Sequence, residues 1–274
     1  MLNEEEYQKR IQALADRKFK KLYFIHIPKA AGSYVRKFPI PISAHGNHEQ
    51  FHSRPAYAVM NNAGRSGRTG TKGLLEKGNT VAGYSILRKD DKRVQNSLKF
   101  ATIRNPFDYL VSCYFSGMVG APQNILKCNR DHKNARIYCN KCNSAGYEKF
   151  LTEFSENKML YLPCRKNLFH QIFDNQGVCS VDLLIRAEYL TEGLDQLNSV
   201  ILGRDRIKNI PNERINQSAK RKKRDYREFY SSNVREMVEK KIKKELDMFG
   251  YTFDGPVDKR PFIFLDRDKK YDIF

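Results

Sequence analysis

The sequence predicts an α/β protein built on a central, mostly parallel sheet flanked by helices. Three observations predict it. Short apolar runs over 22–27, 100–103 and 181–186 suit buried strands, which read as continuous hydrophobic segments. Helical patterns follow them, from about Ser33, over 107–117 and over 188–201. Strands alternating with helices pack as a parallel sheet with crossover helices on its faces.

Taken in order, residues 4–20 form an amphipathic pattern, with Tyr7, Ile11, Leu14 and Ala15 on one face. The run 22–27 (LYFIHI) is the first buried strand, broken by Pro28 and Gly32. Residues 40–44 and 80–85 read as further strands, and 61–73, rich in Gly, Asn, Arg and Ser, as a loop. Further helices are expected over 145–156 and 226–249. The segment 118–165 reads as an insertion carrying four of the six cysteines, and the mixed-charge tail 252–274 as a surface wrapping. There is no internal repeat and no long low-complexity linker, so a single domain over 1–274 is expected.

Composition excludes several classes. With 274 residues, 40% hydrophobic and 12% aromatic, the chain can bury a sizeable core and is not a mainly disordered protein. No apolar run approaches the roughly 18 residues of a membrane-spanning helix. Residues 1–21 are charged from Glu4 onward and lack an apolar segment, which leads to the expectation of a cytoplasmic protein. Fifty Lys+Arg against 31 Asp+Glu give a net charge of +19, which calls for an anionic partner. Nucleic acid is disfavoured, because no nucleic-acid-binding module is recognisable and the basic residues are spread along the chain apart from 220–224.

Two segments carry chemistry. In Phe24-Ile25-His26-Ile27-Pro28-Lys29-Ala30-Ala31-Gly32-Ser33 a buried strand ends in a turn that opens a helix. Backbone N–H groups and the positive end of the helix dipole then face one point, which suits an anion. Lys29 adds a positive charge, Ser33 a hydroxyl, and Gly32 allows close approach of the backbone. The nucleoside triphosphatase signature GxxxxGK[ST] is absent, and Lys29 is followed by Ala30 rather than a magnesium-binding hydroxyl residue. A phosphotransferase is therefore the weaker reading. The second segment is Phe100-Ala101-Thr102-Ile103-Arg104-Asn105-Pro106, followed by Ser112 and Tyr114. Arg104 at a strand end can pair bidentately with a phosphate. Pro106 starts a helix, and Ser112 lies about two turns along it. Taken singly, each segment also fits an ordinary strand-to-helix turn; the pair points to a ligand carrying two phosphate-like groups.

As a pair, HIPKAAGS and RNPFDYLVS resemble the two cofactor motifs of the sulfotransferases that use 3′-phosphoadenosine 5′-phosphosulfate (PAPS). The likeness is greatest to the carbohydrate-type branch, including heparan sulfate 2-O-sulfotransferase-like enzymes and bacterial relatives. It extends through Leu184-Ile185-Arg186-Ala187-Glu188-Tyr189-Leu190, Asn216-Gln217-Ser218, Tyr226, Tyr230 and the segment 245–251, and so covers roughly residues 22–254. The resemblance implies the sulfotransferase fold, which is similar to that of the P-loop nucleoside triphosphatases. It implies a sulfuryl transfer from PAPS to a hydroxylated acceptor, an anionic glycan or a small molecule, without a metal. Lys29, Ala30, Ala31, Gly32 and Ser33 would hold the 5′-phosphosulfate, with Lys29 stabilising charge as the bond breaks. Arg104 and Ser112 would hold the 3′-phosphate. Arg221 and Lys222 fall in the basic run where related enzymes close a loop over the cofactor; for any single residue of the run a solvated charged segment is the preferred reading.

The acceptor's proton needs a base. The heparan sulfate 2-O-sulfotransferase pattern places a Gly-His pair about twenty residues before the RxP arginine; this sequence has Gly83-Tyr84 there. A tyrosine with an ordinary pKa near ~10 is a poor base at neutral pH. Histidine suits the role, and His48, then His45, then Glu49 are the candidates in the segment after the second predicted strand. The departure at Tyr84 also leaves open a protein that binds the cofactor without catalysing transfer. Cys139 and Cys142 form a CxxC with Cys128 before it and Cys164 after it. Thiols are the preferred reading, with a zinc site as the alternative.

Overall fold

The computed structural model describes residues 2–19, 21–25, 27, 30–37, 97–115, 151, 172–173, 177–179, 181–206, 224–267 and 269–272. Contacts group the chain into two compact units, one made of 1–104, 169–215 and 259–274, the other of 105–168 and 216–258.

The first unit begins with α1 (Glu4–Asp16), which opens on a reciprocal cap. The Asn3 side chain accepts from Glu6 N–H, and the Glu6 carboxylate accepts from Asn3 N–H. The helix stops at Asp16, short of the expected 20, because Lys18 takes a left-handed φ of 47°. Strand β1 (Lys21–Ile25) leads to helix α2 (Gly32–Lys37). Strands β2 (Ser97–Ile103) and β3 (Leu183–Arg186) lie parallel in the order β1-β2-β3. The register pairs Ile25 with Ala101 and Ile103 with Arg186. A 3₁₀ turn (Ala187–Tyr189), helix α4 (Leu190–Gln196) and a π-helical turn (Leu197–Ile201) follow β3, where one helix over 188–201 is expected from sequence.

The tail differs from its sequence reading. Residues Phe262–Phe264 form an antiparallel edge strand on β3, called β6 below. Its aromatic residues supply the reason: Phe262 is buried, and the Tyr7 ring packs on Phe262 and Phe264 at 6.5 and 5.2 Å. Mixed charge around a three-residue strand hides the pattern from a sequence window.

The core lies on one face of this sheet. Leu22, Phe24, Leu98, Phe100, Leu183 and Ile185 alternate along the strands and meet Tyr7, Ile11, Leu14, Leu194 and Leu197. Burying each such side chain is worth about 1.5–3 kcal/mol. The residues between them, Tyr23, Ile25, Ala101, Ile103 and Leu184, are equally inaccessible. The mostly parallel sheet flanked by helices is thus the architecture that the sequence predicts.

The second unit holds α3 (Pro106–Phe115), a 3₁₀ turn (Tyr226–Phe229), α5 (Ser232–Lys241), α6 (Lys243–Phe249) and a hairpin of β4 (Tyr251–Thr252) with β5 (Gly255–Pro256). One helix is expected over 226–249, and three helical pieces are found. Asp225 caps the first, the backbone extends through Tyr230 and Ser231, and the helix breaks again at Ile242. The expected strands at 40–44 and 80–85 lie outside the described residues, as does the expected helix over 145–156 apart from Leu151.

Candidate functional site

The turn after β1 is built by local bonds and one anchor. Ile27 and Ala30 are fully buried, and Ala30 N–H donates to the Ile27 carbonyl at 3.2 Å. Thr102, buried in β2, donates its hydroxyl to the Ala30 carbonyl, which ties the turn to the neighbouring strand. Ala31 then adopts φ 65°, a left-handed conformation uncommon for a residue with a Cβ. Its carbonyl accepts from Tyr34 N–H at 2.9 Å and Val35 N–H at 3.3 Å, so it opens α2. The first N–H groups of a helix have no partner within the helix, and they meet the positive end of its dipole. Tyr34 in turn meets the Thr191 hydroxyl at 2.9 Å, linking α2 to α4.

Because β1 and β2 are parallel and in register, their C-terminal ends lie side by side. The turn carrying Ala30, Ala31 and Gly32 and the half-buried Arg104 just beyond β2 therefore share one sheet edge. Arg186 ends β3 at the same edge. It is buried, and its guanidinium donates to the carbonyls of Arg260 at 2.9 Å and Phe262 at 3.2 Å, holding β6 in place.

Ser112 stands on α3 in the second unit. Seven residues of α3 are buried; Asp108, Ser112 and Phe115 are the partly exposed ones. Their spacing of four and then three puts them on one helix face, so the Ser112 hydroxyl lies on the accessible stripe. The start of the helix is held by Asn105, which sequence reading passed over. Its carbonyl accepts from Tyr109 N–H at 2.8 Å and its side-chain oxygen from Phe107 N–H at 2.9 Å. Asn before Pro at a helix start is itself a legible cap signal. Around this end an aromatic cluster forms, with Phe107 edge-on to Tyr230 at 5.3 Å and to Phe253 at 4.9 Å. Tyr230 also donates its hydroxyl to the Phe107 carbonyl at 2.9 Å.

Lys29, His45, His48, Glu49, Tyr84, Arg221 and Lys222 lie outside the described residues, as do His26 and the side chain of Ser33. So do Cys128, Cys139, Cys142 and Cys164; among the described residues no group of His, Cys, Asp or Glu is arranged to hold a metal ion. No described helix is long and apolar enough to cross a membrane.

The profile of the sulfotransferase family matches residues 13–252, which include both strand-to-helix turns and Ser112. The chain belongs to the sulfotransferase family. No curated protein and no solved structure matches it.

Proposed function

We propose that this chain transfers the sulfuryl group of PAPS to a hydroxyl or amine of an acceptor, with a carbohydrate as the preferred class. The observation that carries the reading is the family match over 13–252, which contains both HIPKAAGS and RNPFDYLVS, each at the end of one of two adjacent parallel strands. In this reading the N–H groups of the turn through Ala30, Ala31, Gly32 and Ser33 receive the 5′-phosphosulfate. Lys29 neutralises charge on the bridging oxygen as the sulfur–oxygen bond breaks. Arg104 and Ser112 hold the 3′-phosphate, and Arg221 and Lys222 add positive charge over the nucleotide. No metal takes part. The base is His48 or His45, whose neutral imidazole removes the acceptor's proton, with Glu49 and Tyr84 as competitors for the role. The charge of +19 supports an anionic acceptor such as a sulfated or uronic-acid-bearing glycan.

The test is transfer of label from PAPS to a panel of hydroxylated acceptors. Lys29→Ala is expected to lower turnover and also weaken binding of the nucleotide's 5′ end. Replacing the true base with Ala lowers turnover by about 10²–10⁴-fold and leaves nucleotide affinity unchanged. The rate should fall as pH drops through the histidine's pKa, ordinarily near ~6.5, because the imidazolium cannot accept a proton. Should Tyr84→Phe abolish transfer while His45→Ala and His48→Ala remain active, Tyr84 is the base. Absence of transfer and of nucleotide binding alike would refute the assignment.

A further inference from the structure

Asn105 makes more bonds than a helix cap requires. It is 1% exposed. Its side-chain oxygen caps α3 through Phe107 N–H, while its amide nitrogen donates to the Thr252 carbonyl at 2.7 Å and to the Tyr226 hydroxyl at 3.2 Å. The Tyr226 hydroxyl, also buried, donates in turn to the Phe253 carbonyl. One side chain thus fixes the start of α3 against the β4 strand and the 3₁₀ turn, all within the second unit.

We propose that Asn105, oriented by Tyr226, is a positioning residue that sets the axial and rotational place of the Ser112 hydroxyl and so the affinity for the nucleotide's 3′-phosphate. The inference rests on the PAPS reading above. Ser112 lies six residues beyond Pro106, about 9 Å along the axis, and each residue turns a helix by about 100°. A small rotation at the cap carries through the rigid helix and takes the hydroxyl off its stripe. Hydrogen bonds to phosphate tolerate only a few tenths of an ångström, so the cost falls on binding of the 3′ group. The turn that would receive the 5′ group is held by a separate bond, from Thr102 to Ala30.

The test measures, by calorimetry on the whole chain, affinities for 3′-phosphoadenosine 5′-phosphate and for 5′-AMP. Variants are Tyr226→Phe, which removes one hydroxyl, Asn105→Ser, which keeps a capping oxygen but loses the amide donors, and Asn105→Ala. Val238→Ala, a buried position of α5 in the same unit, controls for general destabilisation. Each of the three is expected to weaken the 3′-phosphorylated nucleotide about tenfold, as loss of a charge-linked hydrogen bond would, and 5′-AMP less than about twofold. In the transfer assay KM for PAPS rises while kcat holds. A purely structural role predicts that all variants behave as Val238→Ala does, with lower melting temperature and an unchanged ratio of the two affinities. That result overturns the proposal. A wild-type protein that does not favour the 3′-phosphorylated nucleotide overturns the PAPS reading instead, so the two failures are distinct.

Discussion

Ala31 carries a φ of 65° at the turn between β1 and α2. A left-handed residue with a Cβ costs roughly 1–2 kcal/mol, and β-branching raises that cost. Ala31→Gly is expected to match or exceed the wild type in urea denaturation, and Ala31→Val to lose about 2 kcal/mol. Equal stability of Ala and Val would show that the turn does not hold this conformation. The positive φ falls on Ala31 rather than on the neighbouring Gly32, so residue type alone does not mark it. A second residue-level expectation concerns Asp266, whose carboxyl lies below its ordinary 3.8 because Arg10 donates to it at 2.5 Å. A depressed folded value means that the pair stabilises above about that pH and ceases to as pH falls through the folded value. Both side chains are more than a third exposed, so the contribution is about 0.2–1 kcal/mol. Asp266→Asn should therefore lower stability slightly at pH 7 and converge with the wild type in acid. A constant difference down to low pH would contradict the pairing.

At the scale of elements, α4 packs tightly where it crosses β3 and β6. A Cβ on Gly193 would come within 2.5 Å of Ile185 Cγ2 and 3.1 Å of Pro261 Cβ. Ile185 is fully buried and cannot yield. Gly193→Ala is expected to cost about 1–3 kcal/mol by overpacking, read as a shift of the urea midpoint. An unchanged midpoint would mean that α4 does not sit this closely on the sheet. Elements with strong local periodicity were legible: the first helix, the three parallel strands and α3 fall within a few residues of their sequence positions. What local pattern could not show are features set by distant partners. Strand β6 exists because Tyr7 and β3 cover its aromatic side, and its three residues are too short for a period to register. Asn105 reads locally as a cap, but its bonds to Thr252 and Tyr226 join residues more than a hundred positions apart.

For the whole molecule, the two motifs separated by about seventy residues acquire meaning only through the register that sets β1 beside β2. Each alone is an ordinary strand-to-helix turn. In the proposed function the two motifs serve as the two anion sites for one nucleotide, in a chain of net charge +19. The family match says that such a sheet serves sulfuryl transfer. In the proposed function the second motif reads a 3′-phosphate. The most direct measurement is calorimetric titration of wild type and Arg104→Ala with 3′-phosphoadenosine 5′-phosphate and with 5′-AMP. The wild type is expected to favour the 3′-phosphorylated nucleotide, Arg104→Ala to weaken its binding by about two orders of magnitude, and binding of 5′-AMP to change little. Equal losses for both nucleotides, or no preference in the wild type, would contradict that reading.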